Sequence, residues 1–166
     1  MSEDWSWWTT VRLALLQGAG AAVTAVFSYC TISLVPSLRE PYWAPISAVV
    51  VLYPDLEATR KAVLARFLGT AVGSFVGWGT ARWWHHNLFL YGLAVLAAVA
   101  LCHLMRLESA ARLCAVAVTV ITLIPRAEPA SVVAFHRFVE VSYGAACAWA
   151  YVQLTSWAGR APRARE

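Results

Sequence analysis

Charged residues are scarce in this chain: they make up 13% of its 166 residues, where soluble proteins carry about 25%. Lysine is nearly absent, since Lys61 is its single example beside 12 arginines. Hydrophobic residues reach 60% of the sequence, and nine tryptophans gather near the ends of apolar runs. This shortage of charge excludes an ordinary soluble domain and predicts an integral membrane protein with interfacial tryptophans.

Motifs of catalysis and metal binding are also missing. The sequence contains no Gly-x-Ser-x-Gly, no His-Glu-x-x-His and no phosphate-binding glycine loop. The cysteines lie inside apolar runs without zinc or disulfide spacing, which is typical of buried free thiols. They are Cys30, Cys102, Cys114 and Cys147. The sequence therefore predicts no enzyme, no metal and no cofactor, and its net charge of +4, spread over loops, predicts no nucleic-acid partner.

Six apolar segments predict an all-α integral membrane protein with six transmembrane segments. They cover residues 13–35, 43–53, 62–84, 88–105, 113–124 and 132–157. The second and fifth are short, and each ends at a proline, Pro54 or Pro125. Each is either a broken or re-entrant helix, whose free backbone groups must face protein, water or ligand, or a tilted helix extended by polar flanking residues.

An internal repeat relates the two halves of the chain. Residues 44–78 align with residues 115–149 at a shift of 71 positions, with nine identities in 35. Each half holds three segments, an odd number, so the halves insert in opposite orientations. The sequence therefore predicts one membrane domain with inverted repeats at 12–84 and 85–158, a pattern typical of transporters and channels.

Basic residues near the segment ends predict the orientation. With the N-terminus in the cytoplasm, nine lie on the cytoplasmic side and four on the other. The nine are Arg12, Arg60, Lys61, Arg66, Arg106, Arg112, Arg160, Arg163 and Arg165, and the four are Arg39, Arg82, Arg126 and Arg137. The positive-inside rule therefore predicts cytoplasmic N- and C-termini, including a short basic tail at 159–166.

Two arginines occupy equivalent places in the repeats. Arg66 and Arg137 each lie 12 residues after a proline that closes a short segment. A charged side chain inside a span is costly, so it faces a path or pairs with an acid, and the guanidinium fork fits carboxylates. Spacing leaves open whether these arginines lie at mid-membrane or at the interface.

Glu140 and His136 share one helix side with Arg137. They form an internal salt bridge, or they change protonation as a gate or coupling group. Residue 69 is the repeat partner of Glu140 and is a glycine. Any proton-linked chemistry would therefore belong to the second half alone.

Small and hydroxyl residues mark packing faces and a possible path. Glycines and alanines at four-residue steps allow close helix approach, either within the chain or between two copies. They are Gly69, Gly73 and Gly77, then Gly144 with Ala148, and Ala14, Gly18 and Ala22. Ser47, Thr119 and Thr122 in the short segments line a polar path or bond back to their own helices.

The stretch from Tyr42 to Val51, then Pro54, then Arg66 to Gly73, resembles the fusaric-acid-resistance (FUSC) or aromatic-acid-exporter superfamily. The residues from Arg137 to Glu140, followed by Gly144, resemble its last membrane segment, and plant aluminium-activated malate transporters are similar. The resemblance implies a six-helix unit that moves organic anions outward as a dimer. The matching positions are Trp43, Pro45, Pro54, Arg66, Gly69, Thr70, Gly73, Arg137, Glu140 and Gly144.

The leading hypothesis is therefore a homodimeric transporter of small organic anions in the lipid bilayer of a bacterial inner membrane. Its path would be lined by Arg66, Arg137, Glu140, His136, Trp43, Pro45, Tyr53, Pro54, Thr70, Thr119, Thr122 and Pro125. A passive anion channel is the first alternative. A non-transporting membrane scaffold, with arginines that anchor lipid headgroups, is the second.

Overall fold

The computed structural model describes residues 7–38, 40–83, 87–124 and 128–158, which fold into six α-helices without a strand. The helices are α1 (Trp7–Ile32), α2 (Trp43–Val51), α3 (Leu56–Ala81), α4 (Leu88–Leu104), α5 (Glu108–Leu123) and α6 (Ala130–Ala158). The predicted all-α class is confirmed. Arg39, Pro125, Arg126 and the tail 159–166, which carried part of the sequence prediction, lie outside the described residues.

The two short segments differ from each other. Helix α2 has only nine residues and ends in an extended backbone at Leu52. Pro45 lies in its first turn, where the helix needs no backbone N–H. Helix α5 has 16 residues and begins at Glu108, earlier than the predicted Leu113. It is thus extended by polar flanking residues, as one of the two alternatives proposed, whereas α2 remains short.

Helix α1 buries small and polar side chains and exposes large apolar ones. Its buried residues recur every fourth position at Gly20, Thr24, Ser28 and Ile32. Thr24 Oγ1 donates to the Gly20 carbonyl at 2.7 Å, so burial leaves its hydroxyl bonded. In a surface helix of a soluble protein, the large apolar side chains are buried and the polar ones are exposed. Among the described residues, α1 and α3, each 26 residues long, are long and apolar enough to cross a membrane.

Helix α3 packs against α5 along its glycine face. A Cβ atom added at Gly69 would lie 2.7 Å from the Ala110 carbonyl oxygen, and one at Gly73 would lie 2.5 Å from the Cys114 carbonyl oxygen. One turn further on, Gly77 faces Ile121. Successive turns of α3 therefore meet successive turns of α5, and the two helices run in the same direction.

Helix α6 packs against α2 in the same manner. The Cα of Gly144 lies so close to α2 that an added Cβ would overlap the Ala44 carbonyl. Ala148 belongs to a buried cluster with Ala48, Val51 and Ala145. The third helix of each half thus packs on the second helix of the other half.

Helices α3 and α6 meet at a pair of phenylalanines. The ring centroids of Phe67 and Phe138 lie 5.0 Å apart. Each ring directly follows an arginine of the repeat, Arg66 or Arg137. This contact brings the two arginine-bearing turns of the molecule together.

Candidate functional site

Arg66 and Arg137 line one small cavity between α2, α3, α5 and α6. Both are buried, with 6% and 3% of their surface exposed. The cavity measures about 10 Å³, room for about one water molecule. Its lining is completed by Trp43, Thr70, Leu113, Val116, Ala117, Val120 and Val141. The cavity is therefore too small for an organic molecule.

Arg66 is held by a hydroxyl rather than an acid. Its Nε donates to Ser47 Oγ at 3.4 Å, and Ser47 Oγ donates to the Val141 carbonyl at 2.8 Å. Ser47 is fully buried on α2, so it links α3 to α6. Within the described part of the chain, no carboxylate lies within 4.0 Å of the Arg66 guanidinium. A buried cation thus lacks a counter-ion there.

Arg137 has a carboxylate and an aromatic ring against its guanidinium. Its Nη2 lies 2.8 Å from Oε2 of Glu40, in the loop before α2. Its Cζ lies 3.7 Å from the ring centroid of Trp43, a cation–π contact. The carboxylate contacts one edge of the guanidinium group and the indole covers its face, so the two contacts together hold its orientation.

Glu140 is the most deeply buried acid at the site, with 1% of its surface exposed. Its Oε1 accepts a hydrogen bond from the backbone N–H of Glu40 at 3.3 Å. The ion pair described for Arg137 is with Glu40, although Glu140 lies one turn away on the same helix. His136, half-buried, precedes Glu140 by four positions on α6. Both acids thus converge on the start of α2.

A second, larger cavity lies beside the arginine cavity. It measures about 470 Å³ between α2, α3 and α5 and includes Lys61, Glu108 and Arg112 in its wall. We refer to it as the basic vestibule. Leu113 lines both the vestibule and the arginine cavity. The two exposed basic side chains, Lys61 and Arg112, outnumber the one acid in this wall, Glu108, so the wall carries a net positive charge next to the buried arginines. Lys61 Nζ also lies 3.8 Å from Glu57 Oε1, in an exposed ion pair.

Other predicted path residues lie apart from the arginines. Thr119 Oγ1 bonds to the Tyr91 hydroxyl at 2.9 Å and to its own helix at the Ala115 carbonyl. Thr122 Oγ1 donates to the Val118 carbonyl at 2.8 Å. Both threonines therefore satisfy their hydroxyls away from the cavity, as the back-bonding alternative predicted.

Tyr53, Pro45 and Pro54 flank the site without entering it. Tyr53 and Pro54 are exposed after α2, and Tyr53 lines the basic vestibule. Pro45 is half-buried in the first turn of α2. Pro125 lies outside the described residues. Among the matched positions, Trp43 and Thr70 line the cavity with the two arginines, and Glu140 lies one turn from Arg137 on α6.

Three features of the site carry no strong sequence signal. Glu40 lies 97 residues from Arg137 and shares no helical spacing with it. Leu113 is one leucine among many in an apolar run. Lys61 and Arg112 indicate only the orientation of the chain at the level of sequence. The one hint to Glu40 in the sequence is its place two positions before the Tyr42-Trp43 motif.

A comparison with protein families gives one match. The family model described as fusaric acid resistance protein-like covers residues 21–151. No curated protein and no solved structure matches the chain. The matched range includes α2, α3, α4 and α5 and both arginine-bearing turns.

Proposed function

Because the chain belongs to the fusaric acid resistance protein-like family, a family of membrane-embedded transport proteins, we propose that it moves small organic anions across the bilayer. Membership supports a role in membrane transport of organic compounds. The substrate class that we propose is an organic molecule with a carboxylate, aromatic acids included.

Arg66 is the observation that carries this proposal. The side chain is 6% exposed, and its one described hydrogen bond is with Ser47 at 3.4 Å. Burying a charge without a counter-ion costs several kcal/mol even after relaxation. A bound anion would offset that cost, and the forked guanidinium is suited to the two oxygens of a carboxylate.

The basic vestibule supplies access to this cation. Lys61 and Arg112 raise the local concentration of anions at its wall, because exposed like charges create an attractive field for ligands of opposite sign. Leu113 then separates the vestibule from the arginine cavity. We propose that transport requires the cavity to widen, since its present volume of about 10 Å³ holds no organic anion.

We further propose that the two halves are inverted repeats. Phe67 and Phe138 are equivalent under the 71-residue shift, and they contact each other, as residues on a two-fold axis do. Gly73 and Gly144 are also equivalent, and each packs on the second helix of the other half. Such symmetry suits access from either side of a membrane.

The proposed assembly is a homodimer in a bacterial inner membrane, with both termini in the cytoplasm and outward transport. Ala14, Gly18 and Ala22 lie four residues apart on an exposed face of α1. A Cβ at Gly18 would meet nothing within 4 Å. Small residues at this spacing allow a helix of a second copy to approach closely.

Anion flux tests the proposal. The purified full chain is reconstituted into liposomes, and uptake of benzoate and malate is measured. We expect Arg66→Gln and Arg137→Gln to reduce the flux about tenfold or more, because each removes a charge-assisted hydrogen bond to the anion. Arg82→Gln, at an exposed arginine, is the matched control and keeps the parental flux.

Parental flux in both folded arginine variants would contradict the electrostatic role. Absence of benzoate and malate flux in the parent would reject this substrate class. Single-channel currents above any carrier turnover would assign the passive-channel alternative, with the same arginines in its path.

A further inference from the structure

We propose that the side chain of Glu40 is a built-in carboxylate that occupies the substrate position on Arg137 and leaves it when a transported anion binds. This inference rests on the proposed function and adds to it a residue that competes with the substrate. The guanidinium of Arg137 would then be a binding position that the protein fills with its own carboxylate.

The contact between Glu40 and Arg137 has the geometry that a substrate carboxylate would adopt. Oε2 of Glu40 lies 2.8 Å from Nη2 of Arg137, within the range of charge-assisted hydrogen bonds. The two partners differ in exposure: the side chain of Arg137 is 3% exposed and that of Glu40 is 27% exposed. The acid, which lies nearer to solvent, is therefore the partner that can leave at lower desolvation cost.

Trp43 completes a binding position for a carboxylate. Its ring lies on the guanidinium of Arg137 at 3.7 Å, which holds the plane in place when the ion pair opens. Its indole Nε1–H is buried and has no acceptor among the described residues. Because Trp43 also lines the arginine cavity, this unused donor is available to an oxygen of an incoming anion.

Displacement of Glu40 requires movement of its side chain rather than of its backbone. The backbone N–H of Glu40 is bonded to Oε1 of Glu140 at 3.3 Å. Rotation about the side-chain bonds of Glu40 can thus break its contact with Arg137 Nη2 while the loop before α2 stays attached to α6.

Chemical rescue tests this role. Glu40→Ala removes the carboxylate that lies 2.8 Å from Arg137 Nη2. We expect the purified variant to unfold at a lower temperature than the parent. Acetate at about a hundredfold above its Kd should raise the unfolding temperature by roughly 5 to 10 °C. Acetamide, which has the same shape without the charge, should give no such rise.

The parent and a matched variant serve as controls. The parent should respond much less to acetate, because Glu40 competes for Arg137. Glu57→Ala removes an acid that is 58% exposed on α3 and should show no rescue. Equal stabilisation of the parent and of Glu40→Ala by acetate would overturn the inference.

Glu40→Gln keeps the inference testable if the alanine variant does not fold. This variant removes the internal competitor, so its Kd for benzoate should be about tenfold lower than that of the parent. The size of the decrease depends on the fraction of sites that Glu40 occupies in the parent. Unchanged or weaker binding in this variant would overturn the inference. If that happens while the parent still transports benzoate, only the role of Glu40 fails. Rescue by acetate without any flux in the parent would instead reject the proposed function. It would still support a carboxylate-binding position on Arg137.

Discussion

The two buried arginines of this protein differ in how their positive charges are compensated by neighbouring groups. Arg137 lies against an acid and an indole, whereas Arg66 is bonded to a hydroxyl that is shared with α6. The two arginines occupy equivalent positions in the repeat, but the groups that surround them are different. We infer that Arg66 is the stronger attractant for an anion, because its positive charge is less compensated by neighbouring groups.

Leu113 separates the basic vestibule from the arginine cavity, and its truncation should open the passage. We expect Leu113→Ala to raise benzoate flux several-fold in liposomes. Loss of part of an apolar contact should also lower the stability by roughly 1–3 kcal/mol. Stopped-flow or radiotracer flux and thermal unfolding of the same preparation measure both effects.

The matched control for Leu113 lies on the same helix. Leu123 is 39% exposed near the end of α5 and lines neither cavity. Leu123→Ala should therefore leave the flux unchanged. An unaltered flux in a folded Leu113→Ala variant would show that this leucine does not limit passage.

At the residue scale, the sequence predicted the arginine pair but not its partners. The repeat shift aligned Arg66 with Arg137, and the shared cavity is consistent with that alignment. Glu40 could not be predicted, because a contact across 97 residues depends on how α6 packs beside the loop before α2. The ion pair of Arg137 with Glu140 that helical spacing suggests stays a prediction, and the ion pair described is with Glu40.

At the scale of helices, the close packing of α3 on α5 depends on glycine. Gly73→Ala would place a Cβ 2.5 Å from the Cys114 carbonyl oxygen and 2.6 Å from the Ala117 Cβ. Since the nearest atom belongs to the backbone, α5 must shift. We expect a loss of roughly 1–3 kcal/mol in the free energy of unfolding. Chemical or thermal unfolding in detergent measures this loss.

Gly79 on the same helix is the control. A Cβ there would meet nothing within 4 Å, so Gly79→Ala should be neutral or stabilise α3 by up to about 1 kcal/mol. Equal stability of the two alanine variants would mean that α3 and α5 do not pack as closely as the structure shows.

Helix boundaries show where sequence patterns succeed and where they fail. Pro54 and the apolar run before it located α2, whose nine residues end at Val51. The start of α5 was placed too late, because Glu108 and Arg112 interrupt the apolar pattern although they continue the helix. An acid in a first helical turn is in fact favourable near the positive end of the helix dipole. Hydropathy alone therefore shortens helices whose first turns are polar.

At the scale of the whole molecule, apolar side chains face outward and small or polar ones lie inside. Leu15 is 69% exposed and Phe75 68%, whereas Thr59 and Ser47 are completely buried. This distribution suits a lipid surround, where close packing and internal hydrogen bonds replace a hydrophobic core. Composition alone predicted a membrane protein. Which helices pair could not be predicted, because the third helix of each half packs on the other half.

The orientation of the whole molecule leads to the last prediction. Because α3 and α5 run in the same direction, Glu57 and Glu108 near their first turns should lie on one side of the membrane, and Asn87 before α4 on the other. The positive-inside rule assigns the first side to the cytoplasm. Single cysteines at these positions can be labelled with a membrane-impermeant maleimide after the two accessible cysteines, Cys30 and Cys147, are replaced by alanine.

In intact spheroplasts, Asn87→Cys should react, while Glu57→Cys and Glu108→Cys should react only after permeabilisation. All three positions are exposed in the protein, so accessibility reports the side of the membrane rather than burial. The reverse pattern would place both termini outside and invert the proposed direction of transport. Labelling of Glu57→Cys and Glu108→Cys from opposite sides would contradict the parallel packing of α3 on α5, and with it the inverted repeat.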